Sequence, residues 1–131
     1  MPLVRISMLK GRAAEQRRKV GDAVHRALVD TLGVPPADRF QLITEHEAGD
    51  LVYDSDFLGI ARTSDIVIIQ ITLSSGRTLA QKRAFYRAVA DNLAKLGLRR
   101  EDTWINLIEV ARENWSFGNG IASYAPEAAT A

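Results

Sequence analysis

The feature that most constrains the fold of this chain is an internal repeat, because the segment Gly11–Glu45 resembles the segment Gly76–Glu109. The matched positions run in the same order through both segments. They pair Gly11 with Gly76, Arg12 with Arg77, Gln16 with Gln81, Gly33 with Gly97, Asp38 with Asp102 and Glu45 with Glu109. We therefore expect two copies of one supersecondary unit that arose by duplication.

The length of the chain leaves room for one domain, since 131 residues fall within the range of about 100 to 200 residues that one hydrophobic core serves. The hydrophobic fraction of 47% and the charged fraction of 25% are those of an ordinary folded domain. We therefore expect a single domain over 1–131. Its parts are a first repeat, a second repeat and a C-terminal segment, at about 2–47, 66–111 and 112–131.

Each repeat is predicted to form a strand, a helix and a second strand. The predicted strands are Leu3–Leu9, Phe40–Glu47, Ile66–Leu73 and Trp104–Val110. Between the strands of each copy, apolar residues recur at spacings of three and four, as on the buried face of a helix. Thr78 and Gln81 have the spacing of a capping box, so the second helix should begin at Thr78. Gly33 and Gly97 are typical of the left-handed residue that ends a helix.

The connections decide how these elements assemble. A right-handed crossover makes the two strands of each βαβ unit parallel and places its helix on one face of the sheet. The fold class is therefore α/β, with two fused βαβ units that form a four-stranded sheet and carry both helices on one face. The nearly uninterrupted apolar run Ile66–Leu73 predicts a central strand that is covered on both faces. Since two helices cover only one face, we expect oligomerisation to cover the other.

Composition excludes several classes of function. Seventeen basic and sixteen acidic residues give a net charge of +1, which is too small for nucleic-acid binding. The absence of cysteine excludes disulfides, thiolate catalysis and cysteine-ligated zinc. Neither His25 nor His46 has a partner at a spacing typical of a metal site, so no metal is expected. No secretory signal or membrane-spanning run is visible, and we expect a cytoplasmic protein without a membrane partner.

Several short motifs occur in a characteristic order. They are Pro2 directly after Met1, Gly-Arg at 11–12, Gly-Val-Pro-Pro-Ala-Asp-Arg-Phe-Gln at 33–41, Arg-Thr with Gln-Lys at 77–82, and Trp-Ser-Phe-Gly at 115–118. With the two βαβ repeats, they resemble the malonate semialdehyde decarboxylase-like group of the tautomerase superfamily over nearly the whole chain. The resemblance implies a homotrimer, a catalytic proline at the floor of a pocket, arginines that bind a substrate carboxylate, and no cofactor.

Pro2 and Arg77 are the leading catalytic candidates. Proline after methionine is common simply because it permits removal of Met1, but a free N-terminal proline is also a secondary amine that can take a proton or attack a carbonyl. An α-amino group has a pKa of about 7.7 to 8.0, and burial or a nearby cation lowers it toward the range useful for a general base. The guanidinium of Arg77 offers two parallel donors to a carboxylate, beside a helix N-terminus.

Two further candidates have structural as well as functional interpretations. Arg12 occupies in the first repeat the place of Arg77 in the second, and it is either a substrate contact or a surface charge. Asp38 follows Pro-Pro-Ala and is suited to a turn, as its counterpart Asp102 is. The resemblance implies instead that Asp38 orients or activates water.

Ser75 is the main departure from the pattern of the decarboxylases, which have a second arginine at this position. The missing cation weakens the assignment of decarboxylation or hydration to this chain, because both reactions gain from two charges that polarise the substrate. Trp115, Phe117 and Tyr124 either cover the core or bind substrate, and the resemblance places Trp115 and Phe117 in the wall of the pocket.

The function predicted from the sequence is therefore keto–enol tautomerisation of a small 2-oxo or 2-hydroxyenoic acid, with Pro2 as general base and acid and Arg77 as the carboxylate ligand. Decarboxylation of a malonate semialdehyde-type acid is the second enzymatic interpretation, followed by hydration of an unsaturated acid. A non-catalytic trimeric binding or scaffold protein is the alternative from another class.

Overall fold

The computed structural model describes residues 1–125, and the end of the predicted C-terminal segment, 126–131, lies outside the described residues. The main elements are β1 (Leu3–Leu9), α1 (Ala14–Leu32), β2 (Gln41–His46), β3 (Val67–Ser74), α2 (Leu79–Ala94) and β4 (Thr103–Val110). Short 3-10 turns lie at Phe57–Gly59, Arg100–Asp102 and Arg112–Asn114. Each predicted strand and helix is present within a few residues of its expected position.

The four strands form one sheet in the order β2-β1-β3-β4. β1 is parallel to β2, and β3 is parallel to β4, as expected for two βαβ units. The two units join through β1 and β3, which pair antiparallel with Ile6 opposite Ile69. The end of each of these two strands therefore lies beside the beginning of the other, so that equivalent turns of the two repeats are at opposite edges of the sheet.

The ends of both helices follow the predicted chemistry. Gly33 has a φ of 69° and closes α1, which confirms its predicted left-handed conformation. Regular α2 ends at Ala94, and Gly97, with a φ of 84°, closes the following turn, where its N–H donates to the Ala94 carbonyl at 3.0 Å. The N-terminus of α2 carries the predicted capping box between Thr78 and Gln81. The helix boundaries are thus set by local sequence.

The hydrophobic core lies between the helices and one face of the sheet. Alternate residues of β1 and β3 are buried there against both helices, as Ile6, Ile69 and Phe85 illustrate with no exposed surface. This confirms that both helices lie on one face and that β3 is a central strand. The prediction that β3 is covered on both faces is wrong for the single chain, because its other face carries the partly exposed Ile68 and Thr72.

The second face of the sheet presents large apolar side chains. Leu42, Trp104 and Ile108 lie on it and are 47%, 44% and 39% exposed. The segment between the repeats covers part of this face, since Phe57 lines a cavity of about 240 Å³ together with Ile68 and Trp104. The remaining apolar surface has no cover within the described chain.

The connecting segment is fixed to the second repeat by a buried carboxylate. Asp102 is 1% exposed, and its two oxygens accept hydrogen bonds from the backbone N–H and the hydroxyl of Thr63, each at 2.6 Å. Since a buried carboxylate is stabilised by strong donors of this kind, the pair orders the chain just before β3.

Among residues 1–125, no helix is long and apolar enough to cross a membrane.

Candidate active site

Pro2 is buried at the beginning of β1. The antiparallel pairing of β1 with β3 places Leu3 opposite Thr72, so the turn that follows β3 lies close to the chain start. That turn contains Ser75 and leads into α2 through Arg77. The topology therefore brings two of the predicted site residues, Pro2 and Arg77, to the same edge of the sheet.

Two neighbouring cavities open at this edge, and they differ in chemistry. An apolar lobe of about 260 Å³ is lined by Met1, Pro2, Leu3, Phe40, Trp115, Ser116 and Phe117. A polar lobe of about 310 Å³ is lined by Met1, Ser74, Ser75, Gly76, Arg77, Gln81, Arg112 and Tyr124. Met1 contributes to both lobes and therefore stands between them.

The N-terminal amine lies in a strongly charged environment. Burial lowers the pKa of the Met1 amine below its ordinary value of 8.0, the carboxylate of Asp38 opposes this change, and the guanidinium groups of Arg77 and Arg112 add to it. Desolvation and nearby cations both disfavour the protonated amine. An amine at this edge is therefore available as a base at a lower pH than a free chain terminus.

Asp38 combines a structural and a chemical role. Its backbone N–H donates to the Pro35 carbonyl at 2.9 Å, as the predicted turn requires. Its side chain is only 8% exposed, and Oδ1 has no hydrogen-bond partner in the described part of the chain. Burial raises the pKa of this carboxyl group, while the N-terminal amine and His25 lower it. A buried carboxylate oxygen that lacks a partner in residues 1–125 and lies near an amine can take up a proton or accept a hydrogen bond from water.

Arg77 is held in place by the ends of two elements. Its Nη1 donates to the carbonyl of Ser74 at 3.1 Å and its Nη2 donates to the carbonyl of Leu32 at 3.3 Å, so the guanidinium also caps the C-terminus of α1. Each of these nitrogens has a second N–H group, and the residue lines the polar lobe. Arg77 can therefore bind an anion while its position is fixed by the backbone.

Arg12 is not brought to this site. It lies at the opposite edge of the sheet, where its Nη2 donates to the carbonyl of Asp65 at 2.6 Å. It lines a separate cavity of about 460 Å³ with Lys10 and Glu47. The antiparallel pairing of β1 and β3 separates it from Arg77, so within one chain the prediction that Arg12 contacts the same substrate as Pro2 is not supported.

The aromatic residues of the C-terminal segment pack against one another and against the site. Trp115 stacks on Phe117 with ring centroids 5.4 Å apart, and Tyr124 meets Phe117 edge-on at 5.1 Å. The indole N–H of Trp115 donates to the hydroxyl of Ser74 at 3.0 Å. Trp115 and Phe117 line the apolar lobe, and Tyr124 lines the polar lobe. These side chains form the wall between the site and solvent.

Sequence reasoning missed Arg112. Its guanidinium lies 4.9 Å from the centre of the Tyr124 ring, and the residue lines the polar lobe together with Ser75. Neither the repeat nor a helical or strand periodicity includes this residue, because it lies in the 3-10 turn after β4. The signal available in the sequence was a cation between the last strand of the second repeat and the aromatic cluster that begins at Trp115. This segment has no counterpart in the first repeat.

Sequence profiles agree with this arrangement. A profile described as "Tautomerase enzyme" matches residues 38–118, and a second profile with the same description matches residues 2–59. The chain belongs to the tautomerase family. The two matches together span residues 2–118 and include both repeats and every residue that lines the two lobes except Met1 and Tyr124.

Two curated relatives of this tautomerase-family chain come from Bacillus subtilis (strain 168). The probable tautomerase YusQ is 37% identical over 123 residues, which cover 93% of this chain and 97% of YusQ. The probable tautomerase YrdN is 32% identical over 125 residues, which cover 95% of this chain and 96% of YrdN.

Solved structures place the chain in the malonate semialdehyde decarboxylase-like group. FG41 malonate semialdehyde decarboxylase inhibited by 3-bromopropiolate is 40% identical, with a TM-score of 0.88 and 93% of each chain covered. A second malonate semialdehyde decarboxylase is 34% identical, with a TM-score of 0.87 and coverage of 92% of this chain and 94% of the other. A fused 4-OT described as a symmetric trimer, at 20% identity and a TM-score of 0.76, shares the fold.

Proposed function

We propose that this protein is a cofactor-independent keto–enol tautomerase of small 2-oxo or 2-hydroxyenoic acids. The observation that carries the proposal is the burial of Pro2 in the apolar lobe, next to Met1, where that lobe meets the polar lobe of Arg77. Asp38 acts on the amine at the same chain start. Removal of Met1 would convert the Pro2 nitrogen from an amide to a secondary amine and would clear the residue that stands between the lobes.

The reaction follows from the placement of these groups. Arg77 binds the substrate carboxylate with its free N–H groups, beside the N-terminus of α2. In the ketonisation direction, protonated Pro2 donates its proton to C3 of the enol, and the proton of the enol hydroxyl returns to the amine, so the substrate is isomerised with no net change in protons. The apolar lobe receives the substituent at C3 and excludes water from it.

The environment of the chain start supports a base of this kind. Burial, Arg77 and Arg112 lower the pKa of the N-terminal amine in the unprocessed chain, and the Pro2 nitrogen lies one residue further into the same cavity. A base is most effective when its pKa is near the working pH. Asp38 counteracts part of this lowering and serves as the second proton-handling group.

Decarboxylation of a malonate semialdehyde-type 3-oxo acid is the second candidate. The identities of 40% and 34% to two malonate semialdehyde decarboxylases favour it, as does the unpartnered oxygen of Asp38, which could position water for a hydratase as well. The serine at position 75 weighs against both reactions. Acetaldehyde formation from malonate semialdehyde, measured beside the ketonisation of phenylenolpyruvate, ranks the two candidates.

We propose a homotrimer as the working assembly. The second face of the sheet carries exposed Leu42, Trp104 and Ile108, and the fused 4-OT structures of the same fold are described as trimers. Burial of such a face stabilises an assembly by about 25 cal/mol per Å² of apolar surface. Light scattering should give about three times the 14.5 kDa of one chain, and a monomer would contradict the assignment.

The cytoplasm stays the predicted location.

The decisive experiment replaces the proline. Pro2→Ala should keep Met1 removal and the fold but lower kcat/KM for phenylenolpyruvate by about 10² to 10⁴-fold, since it removes the secondary amine. Intact mass spectrometry verifies the loss of Met1 in both proteins. In the wild type, reduction of a carbonyl adduct with borohydride should label Pro2.

Two outcomes would contradict the proposed mechanism. One is full activity in Pro2→Ala, and the other is a wild-type protein that retains Met1 and turns over none of the acids. The second outcome would favour the non-catalytic trimeric scaffold. A chain forced to retain Met1 is the matched control, because it keeps every side chain and lacks only the free proline.

A further inference from the structure

We propose that Arg112 is a second carboxylate-binding residue, which supplies from the C-terminal segment the positive charge that Ser75 does not. This inference rests on the proposed function for the identity of the ligand, a small carboxylate. It assigns to the substrate a carboxylate held between two guanidinium groups, one from the start of α2 and one from the 3-10 turn after β4.

The first support is position. Arg112, Arg77 and Ser75 line the same polar lobe of about 310 Å³, which has room for a carboxylate and a few waters. The side chain of serine is too short to carry a cation there, and Ser75 is held by its backbone N–H, which donates to the Val110 carbonyl at 3.0 Å. That bond ties the position of Ser75 to the strand that leads into Arg112.

The second support is the availability of donors. Arg77 already donates to two backbone carbonyls, whereas the guanidinium of Arg112 has no hydrogen bond or ion pair with any residue from 1 to 125. Residues 1–125 therefore use none of its five N–H donors. A guanidinium that faces a cavity without a carboxylate partner is a natural binding site for an external carboxylate.

The third support is a platform that holds Arg112 in place. Its guanidinium lies 4.9 Å from the centre of the Tyr124 ring, within the range of a cation–π contact. Tyr124 is held edge-on by Phe117, which stacks on Trp115. The aromatic wall therefore positions a cation as well as excluding water, and it links the apolar lobe to the polar one.

The electrostatics of the chain start agree with this position. Arg112 and Arg77 both lower the pKa of the Met1 amine, so both charges act one residue before the proposed base. A carboxylate bound between them would have its reacting carbons near that amine. Tyr124 acts through Arg112 and is a positioning residue.

A binding measurement tests the inference without turnover. Phenylacetate has a carboxylate and an apolar ring but no reacting carbonyl group, and phenylacetamide is its uncharged analogue. In calorimetric titrations of the processed protein, Arg112→Gln should weaken phenylacetate binding by about 10- to 100-fold, as expected for a lost charge-assisted pair of hydrogen bonds. Binding of phenylacetamide should not change.

Three variants make the result specific. Arg87→Gln removes an exposed arginine elsewhere on α2 and should bind phenylacetate like the wild type. Tyr124→Leu should weaken phenylacetate binding less than Arg112→Gln does. Ser75→Arg introduced into Arg112→Gln should restore most of the lost affinity, because it returns a second cation to the same lobe. With phenylenolpyruvate, Arg112→Gln should change KM more than kcat.

The inference is overturned if Arg112→Gln binds phenylacetate as tightly as the wild type, or if the charged and uncharged ligands weaken equally. It is also overturned if the wild type does not bind phenylacetate. Failure of the proposed function has a different signature. In that case Pro2→Ala keeps its activity or no acid is turned over, while phenylacetate still distinguishes Arg112→Gln from Arg87→Gln.

Discussion

The two repeats use the same aspartate position in opposite ways. Asp102 in the second repeat is 1% exposed and accepts two hydrogen bonds from Thr63 at 2.6 Å. Asp38 in the first repeat is 8% exposed, and one of its oxygens has no partner among residues 1–125. The second repeat therefore uses its carboxylate to hold the chain together, and the first repeat leaves one carboxylate oxygen without a partner in residues 1–125.

The cause of this difference lies in what precedes each first strand. β3 is preceded by the connecting segment, and Thr63 of that segment donates hydrogen bonds to both carboxylate oxygens of Asp102. β1 is preceded by Pro2 and Met1, whose amine lowers the pKa of Asp38 through its charge. The same position of the repeated unit thus lies near an amine in the first copy and is bound by a threonine in the second.

The largest expected effect is on stability, and it should separate the two aspartates. Asp102→Asn should lower the free energy of unfolding by about 2 to 4 kcal/mol, because the amide is neutral and has one oxygen, so it loses the charge-assisted bonds and cannot accept from both donors of Thr63. Urea unfolding at pH 7, followed by circular dichroism, measures the change.

Asp38→Asn is the matched comparison, and it should leave the free energy of unfolding unchanged or raised at pH 7. Burial raises the pKa of Asp38 above 3.8, so the folded state favours the protonated group and its ionised form destabilises the fold above that pH. The variant removes this penalty, which in the wild type fades as the pH falls from the folded pKa to the ordinary value of 3.8. Equal destabilisation by the two substitutions would refute the division between the repeats.

A smaller effect is expected where the helices begin. α2 has the capping box of Thr78 and Gln81, whereas α1 begins after Ala13, which makes no side-chain cap although Gln16 follows at the same spacing. Thr78→Ala should cost about 1 kcal/mol, and Ala13→Thr should add about 0.5 to 1 kcal/mol by creating the missing capping box. Thermal unfolding of both variants measures these shifts, and a destabilised Ala13→Thr would show that the repeats differ there for another reason.

The finest test concerns the amine that Asp38 faces. Since the carboxylate of Asp38 raises the pKa of the N-terminal amine and Arg77 lowers it, Asp38→Asn should move that pKa down and Arg77→Gln should move it up. In the pH–rate profile, the limb that depends on the free amine should move to lower pH in Asp38→Asn and to higher pH in Arg77→Gln. Titration of ¹⁵N-labelled Pro2 by NMR gives the pKa directly, and shifts in the same direction for both variants would exclude this electrostatic account.

Local sequence was sufficient to predict most of the fold. The capping box at Thr78 and the left-handed glycine Gly33 depend only on near neighbours, and the parallel pairing within each unit follows from crossover handedness. The relation between the units was not predictable in the same way. It depends on the pairing of β1 with β3, which decides that Arg77 lies beside Pro2 and that Arg12 lies at the other edge.

Residues of the candidate site that nearby sequence marks could be predicted, and a residue whose role depends on a tertiary contact could not. Pro2 and Arg77 were predicted from a chain terminus and a helix start, together with the two repeats and the family resemblance. Arg112 could not, since its contact with Tyr124 requires the C-terminal segment to fold back across the end of the sheet. Ser75 indicated that a charge was missing, but the sequence did not show which residue could replace it.

The position of Met1 between the two lobes has a practical consequence for anyone who produces the protein. An affinity tag or fusion partner at the amino terminus would leave an amide at Pro2 and fill the junction with foreign residues. On the proposed mechanism such a preparation would fold but lack the free proline, and a screen that relied on it would miss the activity that we propose. Purification handles for this chain belong at the carboxyl end.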